Sequence, residues 1–293
     1  MKWYYVICII LGILLLINFL IWFLIAPGSD KKVYNYDFLF KRPIVHRGLH
    51  DGNHQIIENS KSAFQLAIDK NYNIEMDINL TKDNKIVVFH DGNLKRICGI
   101  DKKVHDLTLE ELQKLPLLTS DEYMMEFSEF LKFVNGQVGI LIEYKGEGAA
   151  IDKELCEQSM KILKDYKGKY VIQSFQPSIL KWFRKNYPVI PRGQLNLNYN
   201  REFKDVDSKD KLTKVAGFMF SNNLTNFIGR PNFMARKYDA LDASYLVMHH
   251  FMKTLVWTIN SESKYKKVVN QVDNVIFERL EFDKDGKYIQ NTK

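Results

Sequence analysis

The chain opens on an apolar run that is unbroken from Trp3 to Ala26 except at Gly12 and Asn18. About twenty such residues cross the hydrocarbon of a bilayer as a helix. Trp3, Tyr4, Tyr5 and Trp22 sit near its ends, where aromatic rings favour the interface, and Pro27-Gly28-Ser29 stops it. A cleaved signal peptide would carry a shorter apolar region ending in a small-x-small site. Leu24 occupies the position two before Ala26, so 1–28 is read as a retained transmembrane anchor. Residues 29–41, polar and aromatic, read as a linker into a domain spanning 42–293.

From residue 42 the pattern changes to short β-type runs separated by stretches of helical period. Strands are predicted at Pro43–Val45, Ile74–Leu80, Ile86–Phe89, Val138–Tyr144 and Tyr170–Ile172. Further strands are predicted at Gly193–Leu197, Gly217–Phe220, Leu241–Ser244, Thr254–Thr258 and Asp273–Phe277. Asn59 or Ser60 caps a helix whose apolar face is Ala63, Phe64, Ala67 and Ile68. Leu107–Leu112, Ser128–Phe133, Ala149–Lys164 and Pro177–Asn186 are also helical, the last with proline in its first turn. Strand and helix alternating over about 250 residues predict an α/β fold, a TIM (β/α)8 barrel preceded by one transmembrane helix. The runs outnumber eight, so one or two belong outside the barrel. Asn226–Lys237, with Phe227, Phe233 and Met234, fits no element.

Composition adds little to the fold and more to the partners. With 293 residues and 46% hydrophobic content the chain can bury a large core. Lys and Arg number 42 against 35 Asp and Glu, a formal charge of +7 that favours anionic partners. Nucleic acid is not indicated, because the basic residues are scattered and carry no recognition motif. Cys8, Cys98 and Cys156 lie far apart and form neither a disulfide framework nor a zinc pattern. A single-pass cell-membrane protein results, with its side open. Lys31, Lys32, Lys41 and Arg42 after the span favour a cytoplasmic domain, but large domains translocate regardless of such charges.

The candidate chemistry stands at strand ends. His46-Arg47-Gly48 follows the first strand and His90-Asp91 follows the third. Side chains two apart on a strand share a face, so Glu75 and Asp77 stand together while Ile74, Met76 and Ile78 point away. Adjacent carboxylates repel unless a cation lies between them or one is protonated. Oxygen ligands suit a hard divalent cation, Mg²⁺ or Ca²⁺. Another strand brings Glu143 and Lys145 to its end.

Taken in order, His46-Arg47-Gly48, Glu58-Asn59-Ser60, Glu75-x-Asp77, His90-Asp91, Glu143-x-Lys145, Gln173-Ser174-Phe175 and Trp257-Thr258-Ile259-Asn260 resemble the motifs of glycerophosphodiester phosphodiesterases. That family has the barrel of the phosphatidylinositol-phospholipase-C-like superfamily and needs a divalent cation. The resemblance implies His46 and His90 as the acid–base pair and Glu75, Asp77 and Glu143 as metal ligands. The chain departs from the pattern in three places. Ile57 stands where a proline is usual, Ser60 where a threonine is, and the last strand reads Val275-Ile276-Phe277-Glu278-Arg279 instead of ending in Ile-Thr-Asp.

A phosphodiester gains negative charge as it becomes pentacoordinate, so Arg47, Lys145 and the metal would suit it. Trp257 would wall the pocket for the glycerol or headgroup. One histidine would take the proton of an attacking hydroxyl or water and the other would protonate the leaving alkoxide. The expected reaction is hydrolysis of a small or polymeric glycerophosphodiester to glycerol 3-phosphate and an alcohol, with a cyclic phosphate as one route. A non-catalytic barrel that binds a phosphodiester and a lyase using the same site are the alternatives. A glycosidase would also use paired carboxylates, but it gives no reason for two histidines, Arg47 and Lys145 at strand ends.

Overall fold

A computed structural model describes residues 2–202, 211–283 and 286–289. Helix α1 (Trp3–Ile25) is 23 residues long, and every residue from Trp3 to Phe23 is exposed. Eight parallel strands then close a barrel: β1 (Ile44–Val45), β2 (Asn73–Leu80), β4 (Ile140–Tyr144), β5 (Tyr170–Ser174), β6 (Arg192–Asn196), β7 (Phe233–Lys237), β8 (Lys253–Ile259) and β9 (Asn274–Phe277). β1 pairs with both β9 and β2, which completes the ring. β3 (Ile86–Val88) is the run outside it, antiparallel to β2 beyond the barrel mouth. It anchors an excursion over 89–126 with its own apolar cluster of Val87, Phe89, Leu94, Ile97, Leu112 and Met124.

Helices cover the outside. α2 (Lys61–Asp69) starts on Ser60, whose hydroxyl accepts from the Ala63 amide; α3 (Phe127–Val134), α4 (Ala149–Leu163) and α5 (Pro177–Asn186) follow. α6 (Lys211–Ser221), α7 (Ala243–Phe251) and α8 (Glu262–Val268) complete the set of longer helices named here. The alternation of each strand assigns its faces. Ile74, Met76, Ile78, Ile142, Met234 and Val256 pack outward against Phe64, Phe130, Leu155 and Phe183 of the helices. Ile44, Leu141, Val171, Phe233, Leu255 and Ile276 fill the interior. Gly193 matters here, because a Cβ on it would meet the Phe233 ring at 2.1 Å, so the absence of a side chain makes room for that ring.

Residues 33–41, expected within a linker, close the floor of the barrel. Tyr36 and Leu39 are buried in the interior cluster, and Asn73 and Asn274 donate to the carbonyls of Phe38, Leu39 and Arg42. Two strand assignments also differ. Gly217–Phe220 lies within α6, and Leu241–Ser244 runs into the start of α7, while the missing seventh strand is Phe233–Lys237. Its outward Arg236 is wholly buried, and that charge hides an otherwise alternating strand.

Candidate active site

The barrel mouth, formed by the C-terminal ends of the strands, gathers the chemistry. β2 projects Glu75 and Asp77 inward, and in register with it β4 projects Glu143 opposite Asp77. The three carboxylates are buried and offer oxygens that all lie within 4.8 Å of one another. Burial, followed by the charges of Asp77 and Glu143, pushes the Glu75 carboxyl well above the usual range. Glu143 is likewise raised, chiefly by burial. Burial also raises Asp77, but the charges of Lys145, His90 and Arg47 outweigh it and hold Asp77 ionised, well below the usual range.

Lys145 answers part of this negative charge. Its ammonium lies 2.8 Å from Asp77 Oδ1 and bonds Glu143 Oε1. Arg47 follows β1 with φ of 55°, a left-handed turn that aims its backbone N–H at Glu75 Oε2, 3.1 Å away. Its guanidinium donates to Glu58 Oε1 at 2.8 Å and passes 3.6 Å from Asp77 Oδ2. Gly48 makes that turn possible: φ is +78°, and a Cβ would lie 2.9 Å from the Ala63 Cβ of α2.

The donor set fits a hard divalent cation: three buried carboxylates with no soft ligand among them. Asn59 Oδ1 and Gln173 Oε1 are also buried without a hydrogen bond. Asp77 Oδ1 meets the Lys145 ammonium but accepts no well-directed bond. A buried polar atom left unpaired costs about 1–3 kcal/mol, so these oxygens are poised for a ligand.

His46, from the end of β1, is 8% exposed and points Nε2 toward Glu75 Oε2 at 3.9 Å. Its Nδ1 lies 2.5 Å from Glu278 Oε1, and His50 Nε2 lies 3.7 Å from the same oxygen. Burial, then the Arg47 charge, lowers the His46 imidazole to about 4 despite the pull of Glu278. Glu278 itself is raised by burial, but the bond to His46 and the nearby His50 imidazole outweigh that and hold it ionised. The lowered value keeps His46 neutral at pH 7, and an imidazole whose Nδ1–H donates to the Glu278 carboxylate carries its lone pair on Nε2.

His90 follows β3 and holds Asp91 at 2.5 Å through Nδ1. Asp91 is fixed by Arg96 Nε at 2.6 Å, and Arg96 in turn donates to both oxygens of Glu58. Burial raises Glu58, but the bonds from Arg96 and the charge of Arg47 overcome it and hold the carboxyl at about 2. Trp257 lies on the other side of the mouth, half-buried, with Nε1 donating to the Ala235 carbonyl at 3.0 Å and its ring edge-on to Phe175.

The structure thus brings His46, Arg47, Glu75, Asp77, Glu143 and Lys145 into one polar cluster. His90 joins it through the Asp91–Arg96–Glu58–Arg47 chain, and Trp257 stands on an apolar rim. Six members were not named as site residues from the sequence: Glu278, Asn59, Gln173, Glu58, Asp91 and Arg96. Asn59 donates to Asp77 Oδ2 at 3.0 Å and Gln173 to Glu75 Oε1 at 3.3 Å. Glu278 had a signal, a carboxylate at the end of the last strand that read only as a departure from the expected motif. Arg96 had none, because it lies on the excursion and not at a strand end.

Residues 46–281 match the Glycerophosphoryl diester phosphodiesterase family. YhdW of Bacillus subtilis (strain 168), provisionally named a glycerophosphodiester phosphodiesterase, is 29% identical over 84% of this chain and 98% of its own length. Among solved structures, a glycerophosphodiester phosphodiesterase from Thermotoga maritima superposes with a TM-score of 0.59 at 26% identity, covering 80% of this chain and 94% of that one. A phosphodiesterase of Oleispira antarctica in complex with the product sn-glycerol-3-phosphate shares the fold, with a TM-score of 0.63 at 22% identity, 81% of this chain and 92% of the other.

Proposed function

Because the chain belongs to the glycerophosphoryl diester phosphodiesterase family, we propose that it hydrolyses a glycerophosphodiester to glycerol 3-phosphate and an alcohol by acid–base catalysis at His46 and His90. The observation that carries this reading is the cluster of three buried carboxylates flanked by a neutral imidazole and two cations. Glu75, Asp77 and Glu143 would hold a divalent cation, Mg²⁺ or Ca²⁺, which supplies charge neutralisation at the phosphoryl oxygens and acidifies a bound hydroxyl.

The remaining steps belong to the chain. Arg47 and Lys145 face the phosphate and take up the charge that develops on its equatorial oxygens. His46 Nε2 accepts the proton of the glycerol 2-hydroxyl as that oxygen attacks phosphorus. The bond to the leaving alcohol breaks, and His90 delivers a proton to its oxygen. A five-membered cyclic phosphate results, which water then opens with the two imidazoles exchanging roles. Glu278 and Asp91 fix the ring orientations through Nδ1. Trp257 and Phe175 offer an apolar wall to the glycerol or headgroup. The bound product of the Oleispira relative supports a small glycerophosphodiester as ligand.

Helix α1 is read in the same proposal as a single-pass membrane anchor for the barrel. Its length of 23 residues and its exposed apolar surface support that reading.

The test is phosphorus NMR of the full chain with a panel of glycerophosphodiesters under single-turnover conditions. The expected result is glycerol 3-phosphate as final product with a transient cyclic phosphate. Accumulation of the cyclic phosphate as end product would make the enzyme a lyase, and its absence throughout would point to direct attack by water. Binding without turnover would leave a non-catalytic barrel.

A further inference from the structure

Helix α1 joins the barrel at the floor, opposite the catalytic mouth. Its last turn is held by hydrogen bonds: Arg230 donates to the carbonyls of Phe23 and Ala26 at 2.8 and 2.9 Å, and Asn226 donates to that of Ile25 at 3.1 Å. The Gly28 amide reaches the Pro231 carbonyl at 2.7 Å, and Trp22 packs edge-on against Phe251. Asn226, Arg230 and Pro231 precede β7, so these contacts lie at the N-terminal ends of the strands. The helix is thus seated firmly on the barrel and projects from its floor.

The floor is also basic. Lys31, Lys32, Lys41, Arg42, Lys167 and Lys169 are exposed in the segments that lead into β1 and β5. Among the described residues only Lys41 of these six is in an ion pair, with Asp37 at 3.8 Å. The carboxylates nearby are largely engaged: Asp273 with Lys253 at 2.7 Å, and Asp30 as acceptor from Asn232. A groove of about 530 Å³ opens between Lys41, Arg42, Lys167 and Lys169, large enough for a phosphate headgroup. Next to it the loop into β6 exposes Tyr187 and Val189 beside Lys185, the aromatic-plus-basic pairing of an interface. At the mouth, by contrast, Arg47, Arg96 and Lys145 are paired with Glu58, Asp91 and Glu143.

We propose that the floor of the barrel is a docking surface for the anionic headgroups of the bilayer that α1 enters, so that the catalytic mouth opens away from that bilayer. This rests on α1 being a membrane span. The site then receives phosphodiesters from the aqueous side and not lipids of its own leaflet. Each basic residue near an anionic leaflet adds attraction that falls off within a Debye length, so the effect is confined to groups lying on the surface.

The experiment is hydrogen exchange of the full chain in nanodiscs of phosphatidylcholine alone and of phosphatidylcholine with phosphatidylglycerol. Segments 41–42, 167–169 and 185–189 are expected to exchange at least about fivefold more slowly in the anionic discs. The mouth loops 51–56 and 91–96 are expected to be the same in both. In the double variant Lys167→Glu, Lys169→Glu the lipid difference shrinks while turnover of a water-soluble glycerophosphodiester persists, which also reports that it folds. Equal floor exchange in the two lipids overturns the docking, as does slower exchange at the mouth. Extraction of the wild-type chain by alkaline carbonate overturns the membrane span itself and the docking with it.

Discussion

A neutral imidazole is the useful form of a base, and burial beside Arg47 keeps His46 in that form at pH 7. Replacing His46 or His90 by alanine is expected to lower kcat by roughly 10²–10⁴-fold, measured as release of the alcohol. Glu278 acts through His46. Its charge pulls the imidazole value upward, so Glu278→Gln lowers that value further, and the base stays neutral. Any loss at pH 7 then reports ring orientation and the weaker basicity of the imidazole, not a change in its protonation. Glu278→Gln is expected to reduce kcat roughly tenfold or more with little change in KM, and Glu278→Asp to recover part of it. Glu58 titrates differently. Its folded value of about 2 lies below the ordinary 4.5, so it stabilises the fold fully above pH 4.5 and loses that contribution as pH falls towards 2. Urea unfolding of Glu58→Gln is expected to show a deficit of about 2 kcal/mol at pH 7 that narrows below pH 4.5.

At the scale of elements, most strands were legible because their periods were unmixed. Ile74–Leu80 alternates apolar outward and polar inward, and its boundaries fall within a residue of those observed. The same regularity exposed Glu75 and Asp77, and the strand ends exposed His46, Glu143 and Lys145. Illegible were the parts that depend on tertiary pairing. Phe233–Lys237 carries an outward arginine where an apolar residue is expected, and only the fold supplies its partners. Arg236 donates to Asn196 Oδ1 at 2.7 Å, to the Ser221 and Ala240 carbonyls at 2.8 Å, and to Asp242 at 2.9 Å. It ties β6, β7, α6 and the start of α7 together. Gly217–Phe220 has the residues of a strand but lies in a helix, because its neighbours extend the helical run to Lys211. Arg236→Met is expected to lower stability by about 3 kcal/mol in denaturant unfolding, since it leaves the Ala240 carbonyl and the Asn196 amide oxygen without their donor and Asp242 without its ion pair.

Across the whole molecule the mouth divides into two halves. β9, β1, β2, β4 and β5 present Glu278, His46, Glu75, Asp77, Glu143 and Gln173, while β6, β7 and β8 present Leu195, Ala235 and Trp257. Burial in the polar half, with the repulsion of neighbouring carboxylates added to it, raises Glu75 and Glu143 above their usual range. A divalent cation would relieve that repulsion, and this is the claim on which the enzymatic account depends. The most direct measurement is turnover of a glycerophosphodiester by the chelator-stripped full chain as Mg²⁺ or Ca²⁺ is added back, for the wild type and Glu143→Gln. No turnover is expected without the ion, with saturable recovery on its return and a roughly tenfold or greater rise in the ion concentration needed by Glu143→Gln. Undiminished turnover in the stripped wild type would contradict that claim.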